Sequence, residues 1–98
     1  LGGVRDEAMI AEGQSALRNI YNAVEMQKAS DDTNNISNLS HLDYLDNPNS
    51  ILGDWTTTST MNLTTTSGTI MEITNDKISN GNKLILKVDG TITGSAID

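Results

Sequence analysis

VRDEAMIAEGQSALRNIYNAVEMQKA, residues Val4 to Ala29, is the stretch that decides the fold. On a 3.6-residue period, Met9, Ile10, Gly13, Ala16, Leu17, Ile20, Tyr21 and Val24 share one face, while Glu7, Glu12, Ser15, Arg18, Asn19, Asn22 and Glu25 share the other. The pattern predicts an amphipathic helix. Asp6 and Glu7 in its first turn and Lys28 in its last follow the charge order that the helix dipole favours, and Ser30-Asp31-Asp32 ends it. About 26 residues at roughly 1.5 Å each make a rod of about 39 Å, longer than the ~30 Å width of a small domain. Its N-terminal end is therefore expected to project beyond the body or to continue an element that has been removed.

The other 70 or so residues must supply what this helix packs on. With 98 residues the chain is expected to form one domain, and with 36% hydrophobic and 3% aromatic residues its core must be built from Ile, Leu, Val and Met. There is no cysteine, so neither a disulfide nor a thiolate site is available, which by itself excludes no compartment. A formal net charge of -7 with six scattered Lys and Arg argues against a nucleic-acid or anionic-membrane surface. No run of about twenty apolar residues occurs and no signal-peptide pattern opens the chain, so a soluble chain is expected. Leu1-Gly2-Gly3 reads either as a processed or truncated start or as an added remnant.

After the helix, Ser30 to Asn35 is a polar loop. In Ile36 to Leu45, ISNLSHLDYL, Leu39, Leu42 and Leu45 recur every third position with Ser37 or Ser40 as a cap, which predicts a short second helix ending before Pro48. From Ile51 the composition turns to Thr, Ser, Gly and β-branched residues, which predicts sheet. Trp55 to Leu63 reads as a strand with a hydroxylated surface, and Thr64 to Gly68 as a break. Thr69 to Ser79 and Asn82 to Val88 flank Asn80-Gly81, the preferred type I′ hairpin turn.

Pairing Ser79 with Asn82 places Lys77 opposite Leu84, Asn75 opposite Leu86 and Ile73 opposite Val88, with Met71 continuing that side. The other side carries Glu72, Thr74, Asp76, Lys83 and Lys87 together with Ile78 and Ile85. The expected fold class is α+β: the long helix over 4–29, a connection over 30–54 with the short helix, and a three- to four-stranded antiparallel sheet over 55–93. Ile10, Leu17, Ile20 and Val24 of the helix and Ile73, Leu84, Leu86 and Val88 of the sheet are the expected core. Asp89-Gly90 is a turn, Thr91-Ile92-Thr93 a last strand, and Gly94 to Asp98 a frayed tail.

No constellation for catalysis can be assembled. His41 is the single histidine and nothing marks a nucleophile or an orienting group beside it. The acids Asp31, Asp32, Asp43, Asp46, Asp54, Asp76 and Asp89 match no EF-hand spacing, so solvated loop acids explain them and a structural calcium ion is not indicated. No catalytic, cofactor or metal residue is assigned. Trp55 reads as a core anchor, or else as a sugar-stacking platform beside the threonine strands. Ala11 and Met26 interrupt the polar side of the helix, either as stray apolar residues or as part of a second contact surface. Asn35, Asn38 and Asn62 open Asn-X-Ser/Thr triplets, a number expected by chance in so Asn-, Ser- and Thr-rich a chain.

The order of elements resembles the soluble domain of a type IV pilin or of a type II secretion pseudopilin. The residues that carry the likeness are Asp6 to Ala29, similar to the second half of a pilin helix, then Leu39 to Leu45, and the closing KLILKVDGTITG of Lys83 to Gly94. The family's specific signature, a basic leader followed by a Gly-Phe-Thr-Leu-Ile-Glu-like start to an apolar half-helix, is absent, and so is the C-terminal cysteine pair of many pilins. No ligand pattern matches the calcium sites of some pseudopilins.

The resemblance implies an architectural role without catalysis: a subunit of a pilus or pseudopilus acting in adhesion, motility or secretion. An apolar half-helix preceding Leu1 would anchor the precursor in the inner membrane and then pack in the filament core. Ala11, Ser15, Asn22 and Met26 would face neighbouring subunits, and loops Ser30 to Asn38 and Pro48 to Asp54 would lie on the filament surface. The implied partners are copies of the chain or other pilins and the inner-membrane assembly machinery, with an extracellular or periplasmic location. The competing reading is a small secreted adhesin or carbohydrate-binding module using Trp55 and the threonine-rich strands.

Overall fold

The computed structural model describes residues 3–30, 38–57, 61–63, 65–79 and 81–98, with side chains from position 6 onward. It is α+β, one long helix on a four-stranded antiparallel sheet. The helix, α1, runs Gly3–Ala29. Burial along it recurs at Met9, Gly13, Ala16, Leu17, Ile20, Ala23, Val24 and Gln27, the period of a helix with one side on a core. Ile10 and Tyr21 border that stripe, half-buried. At the N-terminal end of α1, Asp6 is half-buried and Glu7 and Ala8 are exposed, before burial begins at Met9.

The strands are β1 (Thr56–Thr57), β2 (Thr69–Thr74), β3 (Lys83–Lys87) and β4 (Ile92–Thr93), in spatial order β1-β2-β3-β4. Both edge strands are two residues long, which leaves little unpaired backbone for another chain to add to. Helix α1 lies over β3. Leu17, Ile20 and Val24 meet Met71, Ile73, Leu84 and Leu86 in one cluster, each of the seven with no accessible surface. A register shift between Thr69 and Met71 lets both Ile70 and Met71 be buried, which strict alternation would forbid. Val88 is only partly buried at the margin of the cluster.

The β2–β3 register differs by four residues from the one the Asn80-Gly81 turn suggests. Ile73 pairs with Leu84, Met71 with Leu86 and Thr74 with Lys83, and Lys77 lies exposed in a long connection. Asn75 causes the early end of β2. Its Oδ1 accepts the Lys77 N–H at 3.0 Å and its carbonyl accepts the Ile78 N–H at 3.1 Å, folding the chain into a turn. Ile78, expected on the polar side of the ribbon, is thereby delivered into the core at 5% exposure. Gly81, with φ +85, sits against the Ser95 carbonyl where a side chain has no room. Because four is even, the two faces of the hairpin survive the shift.

Three further expectations are corrected. The second helix is a single 3-10 turn, Leu39–His41, capped by Asn38. Leu39, Leu42 and Leu45 are all buried, but the Asp43 N–H donates to Gln27 Oε1 at 3.0 Å instead of to an upstream carbonyl, so no helical ladder forms. Gln27 itself is buried and returns an Nε2–H to Asp43 Oδ2 at 3.3 Å, tying α1 to this segment. Of the strand expected over Trp55 to Leu63, only Thr56–Thr57 pairs with β2; positions 58–60 lie outside the described residues, and 61–63 are not strand. Finally, the tail is not frayed: Ala96 N–H donates to Lys83 O at 3.0 Å, and Asp98 N–H to Gly94 O at 3.0 Å.

The β3–β4 connection contains Asp89, a carboxyl shifted by its hydrogen bonds. Hydrogen bonds from the Thr91 hydroxyl, and then from the Thr91 N–H, hold Asp89 below the usual carboxylate range. A folded-state pKa below the unfolded one gives a contribution that is in place above the unfolded value and is lost as pH falls through the folded one. In an NMR pH titration Asp89 will therefore reach its midpoint below an ordinary aspartate. Thr91→Val, which keeps the N–H and removes the hydroxyl, will raise it; an unmoved midpoint would discard the hydroxyl as the cause.

Candidate functional site

The uncovered side of α1 is built by the same periodicity that builds its buried side. Ala11, Ser15, Asn22 and Met26 are all exposed there, and Asn19 continues the stripe between Ser15 and Asn22. Met26 keeps 50% of its surface accessible. Beside the stripe runs the segment 44–53, whose shape comes from successive turns. Asn47 adopts φ +56, a left-handed conformation that Asn tolerates better than most residues, and its carbonyl accepts the N–H of Ser50 at 3.0 Å and of Ile51 at 2.8 Å. The next turns are closed by Gly53 N–H to Ser50 O and by Trp55 N–H to Leu52 O. This winding leaves Ile51 and Leu52 half-buried against α1 and delivers Trp55 into the core.

Between helix and segment lie two clefts of about 300 and 340 Å³, which share Asn19 and Ile51 and so form one groove. Asn22, Met26, Tyr44 and Asp46 line its end near the C-terminus of α1, and Glu12, Ser15 and Leu52 its other end. Tyr44 is, like Met26, 50% exposed. The groove thus mixes apolar side chains (Ala16, Ala23, Met26, Ile51, Leu52) with the amides of Asn19, Asn22 and Asn47 and the carboxylates of Glu12 and Asp46, and no cationic side chain is among its lining residues.

The structure separates the two sets of site residues read from the sequence. Leu17, Ile20, Val24, Ile73, Leu84 and Leu86 are fully buried, with Ile10 and Val88 at the margin. Ala11, Ser15, Asn22 and Met26 are brought together on the opposite side of α1. Asn19 was legible too, since it completes their spacing. Tyr44 and Ile51 were not, because they reach the groove through irregular turns that have no period. Trp55 is 2% exposed and its Nε1–H donates to the Met9 carbonyl at 2.9 Å, so its ring offers no face to a sugar. A carbohydrate module built on Trp55 loses its platform.

His41 is exposed, with Nε2 3.4 Å from Asn38 Nδ2. Among the described residues no group of three His, Asp or Glu side chains converges as metal ligands, and no helix is long and apolar enough to cross a membrane. Compared with family models, curated proteins and solved structures, the chain matches none of them.

Proposed function

We propose that this chain is a structural subunit of a filament of the type IV pilus or pseudopilus kind. The observation that carries the proposal is the two-sided helix: α1 buries one stripe under its own sheet and leaves a second, running from Ala11 to Met26, open beside a groove of mixed apolar and polar lining. Met26 of the helix and Tyr44 across the groove each keep half their surface in water and line one end of it, which supports a contact with a neighbour there. Partners are copies of the chain or related subunits, added at the inner membrane and exposed in the periplasm or outside the cell, and no reaction is catalysed.

The test is the N-terminal sequence and intact mass of the protein from its native cells. About 25 apolar residues with an early glutamate directly before Leu1 is the expected result. A chain that begins near Leu1 after an ordinary secretion signal would overturn the proposal.

A further inference from the structure

Of the three Asn-X-Ser/Thr triplets, one has its asparagine and its hydroxyl residue both within the described structure: Asn38-Leu39-Ser40. Asn35 lies outside the described residues, and so does Thr64, the hydroxyl residue of the Asn62 triplet. A triplet of this kind is an acceptor for N-linked glycan only where the amide and the hydroxyl reach solvent. Asn38 and Ser40 are both exposed, while Leu39 between them is buried and fixes the turn to the core. The acceptor therefore stands outward on an anchored base.

The local geometry addresses the chemical obstacle as well. An amide nitrogen is a poor nucleophile because its lone pair is delocalised into the carbonyl. Asn38 Oδ1 accepts two hydrogen bonds, from the Ser40 N–H at 2.9 Å and from the Ser40 hydroxyl. Donors on that oxygen favour the imidate form, in which the nitrogen has given up a proton and the oxygen carries the charge. Nδ2, on an exposed side chain, lies 3.4 Å from Nε2 of His41, itself an exposed residue.

We propose that Asn38 is a site of N-glycosylation, with a polyprenyl-diphosphate-linked oligosaccharide as donor. Asn38 Nδ2 attacks the anomeric carbon of the glycan and forms the C–N bond. The bond from that carbon to the diphosphate oxygen breaks, the diphosphate leaves with the electron pair, and the proton from Nδ2 passes by way of the transferase to the released diphosphate. From the filament reading the proposal takes only that this part of the chain faces outward from the cytoplasmic membrane.

The experiment is peptide mapping by mass spectrometry of the chain from its native cells, as wild type and as Asn38→Gln, Ser40→Ala and Ser40→Thr variants. Expected is a glycan mass on the wild-type Asn38 peptide, lost in Asn38→Gln, reduced at least tenfold in Ser40→Ala and retained in Ser40→Thr. A bare Asn38 peptide in both wild type and Ser40→Thr overturns the proposal, as does a glycan that persists on this peptide in Asn38→Gln. Glycosylated chains that never enter filaments would refute the filament reading alone, and filaments with bare Asn38 would refute the glycan alone.

Discussion

Gly13→Ala will destabilise the protein, and the same substitution will stabilise it once Trp55 has been replaced by alanine. A Cβ at position 13 would lie 2.6 Å from Trp55 Cε2, 2.7 Å from Leu84 Cδ1 and 2.9 Å from Trp55 Cζ2. Trp55 is 2% exposed and pinned through Nε1 to the Met9 carbonyl, so it cannot withdraw. Overpacking of this kind costs about 1–3 kcal/mol, which outweighs the roughly 1 kcal/mol that alanine gains over glycine in a helix. Trp55→Ala alone will cost about 3–5 kcal/mol and lower Tm by roughly 12 °C or more, a large part of the stability of a small domain. In that background the obstructing ring is gone and Leu84 can move into the space. Only the helix-propensity gain of about 1 kcal/mol then remains. Thermal and urea melts followed by circular dichroism over the four-member cycle test this; simple additivity of the two substitutions would show that Trp55 does not dictate glycine at position 13.

If the chain is the filament subunit proposed above, Met26→Asp will lower filament assembly more than about tenfold and leave the fold intact. Met26 is 50% exposed, so a charge there stays hydrated in the isolated domain, and the lower helix propensity of Asp together with an anion near the C-terminal end of α1 should cost about 1 kcal/mol, too little to unfold it. In an assembled filament the same carboxylate would be buried against a neighbour without a partner, beside a groove already carrying Glu12 and Asp46. The yield of filaments sheared from cells should fall more than about tenfold, since an unpaired charge within a contact core costs several kcal/mol. Thr66→Asp, an exposed position outside the groove, serves as the control and should assemble normally. Normal filaments from the Met26→Asp chain would remove this side of α1 from the contact.

Both experiments exploit features of unequal visibility in the chain. That Gly13 shares a face with Leu17 and Ile20 follows from counting; that it is there to admit Trp55, 42 positions away, does not. The exposed stripe from Ala11 to Met26 is likewise a matter of period, whereas the opposite wall of the groove, with Tyr44 and Ile51, comes from turns set by Asn47. The Asn80-Gly81 signal misplaced the hairpin because a favoured local turn is worth less than burying Ile78 and satisfying the backbone through Asn75. The tail followed the same rule: its bonds to Lys83 exist only once β3 is in place.

The sequence by itself determined where the helix is, most of the residues of helix and hairpin that face inward, with Ile78 and Lys77 the exceptions, and that the class is α+β. Those properties rest on side-chain periodicity, and periodicity is local: it survives even a four-residue error in register. Tertiary structure alone decided the register, the reduction of the second helix to one turn, the burial of Trp55 and the groove beside α1. Each of these depends on which distant groups meet, Gln27 with Asp43, Trp55 with Met9 and Gly13, Ser95 with Gly81, and the free energy of such meetings is written in no single stretch of the chain.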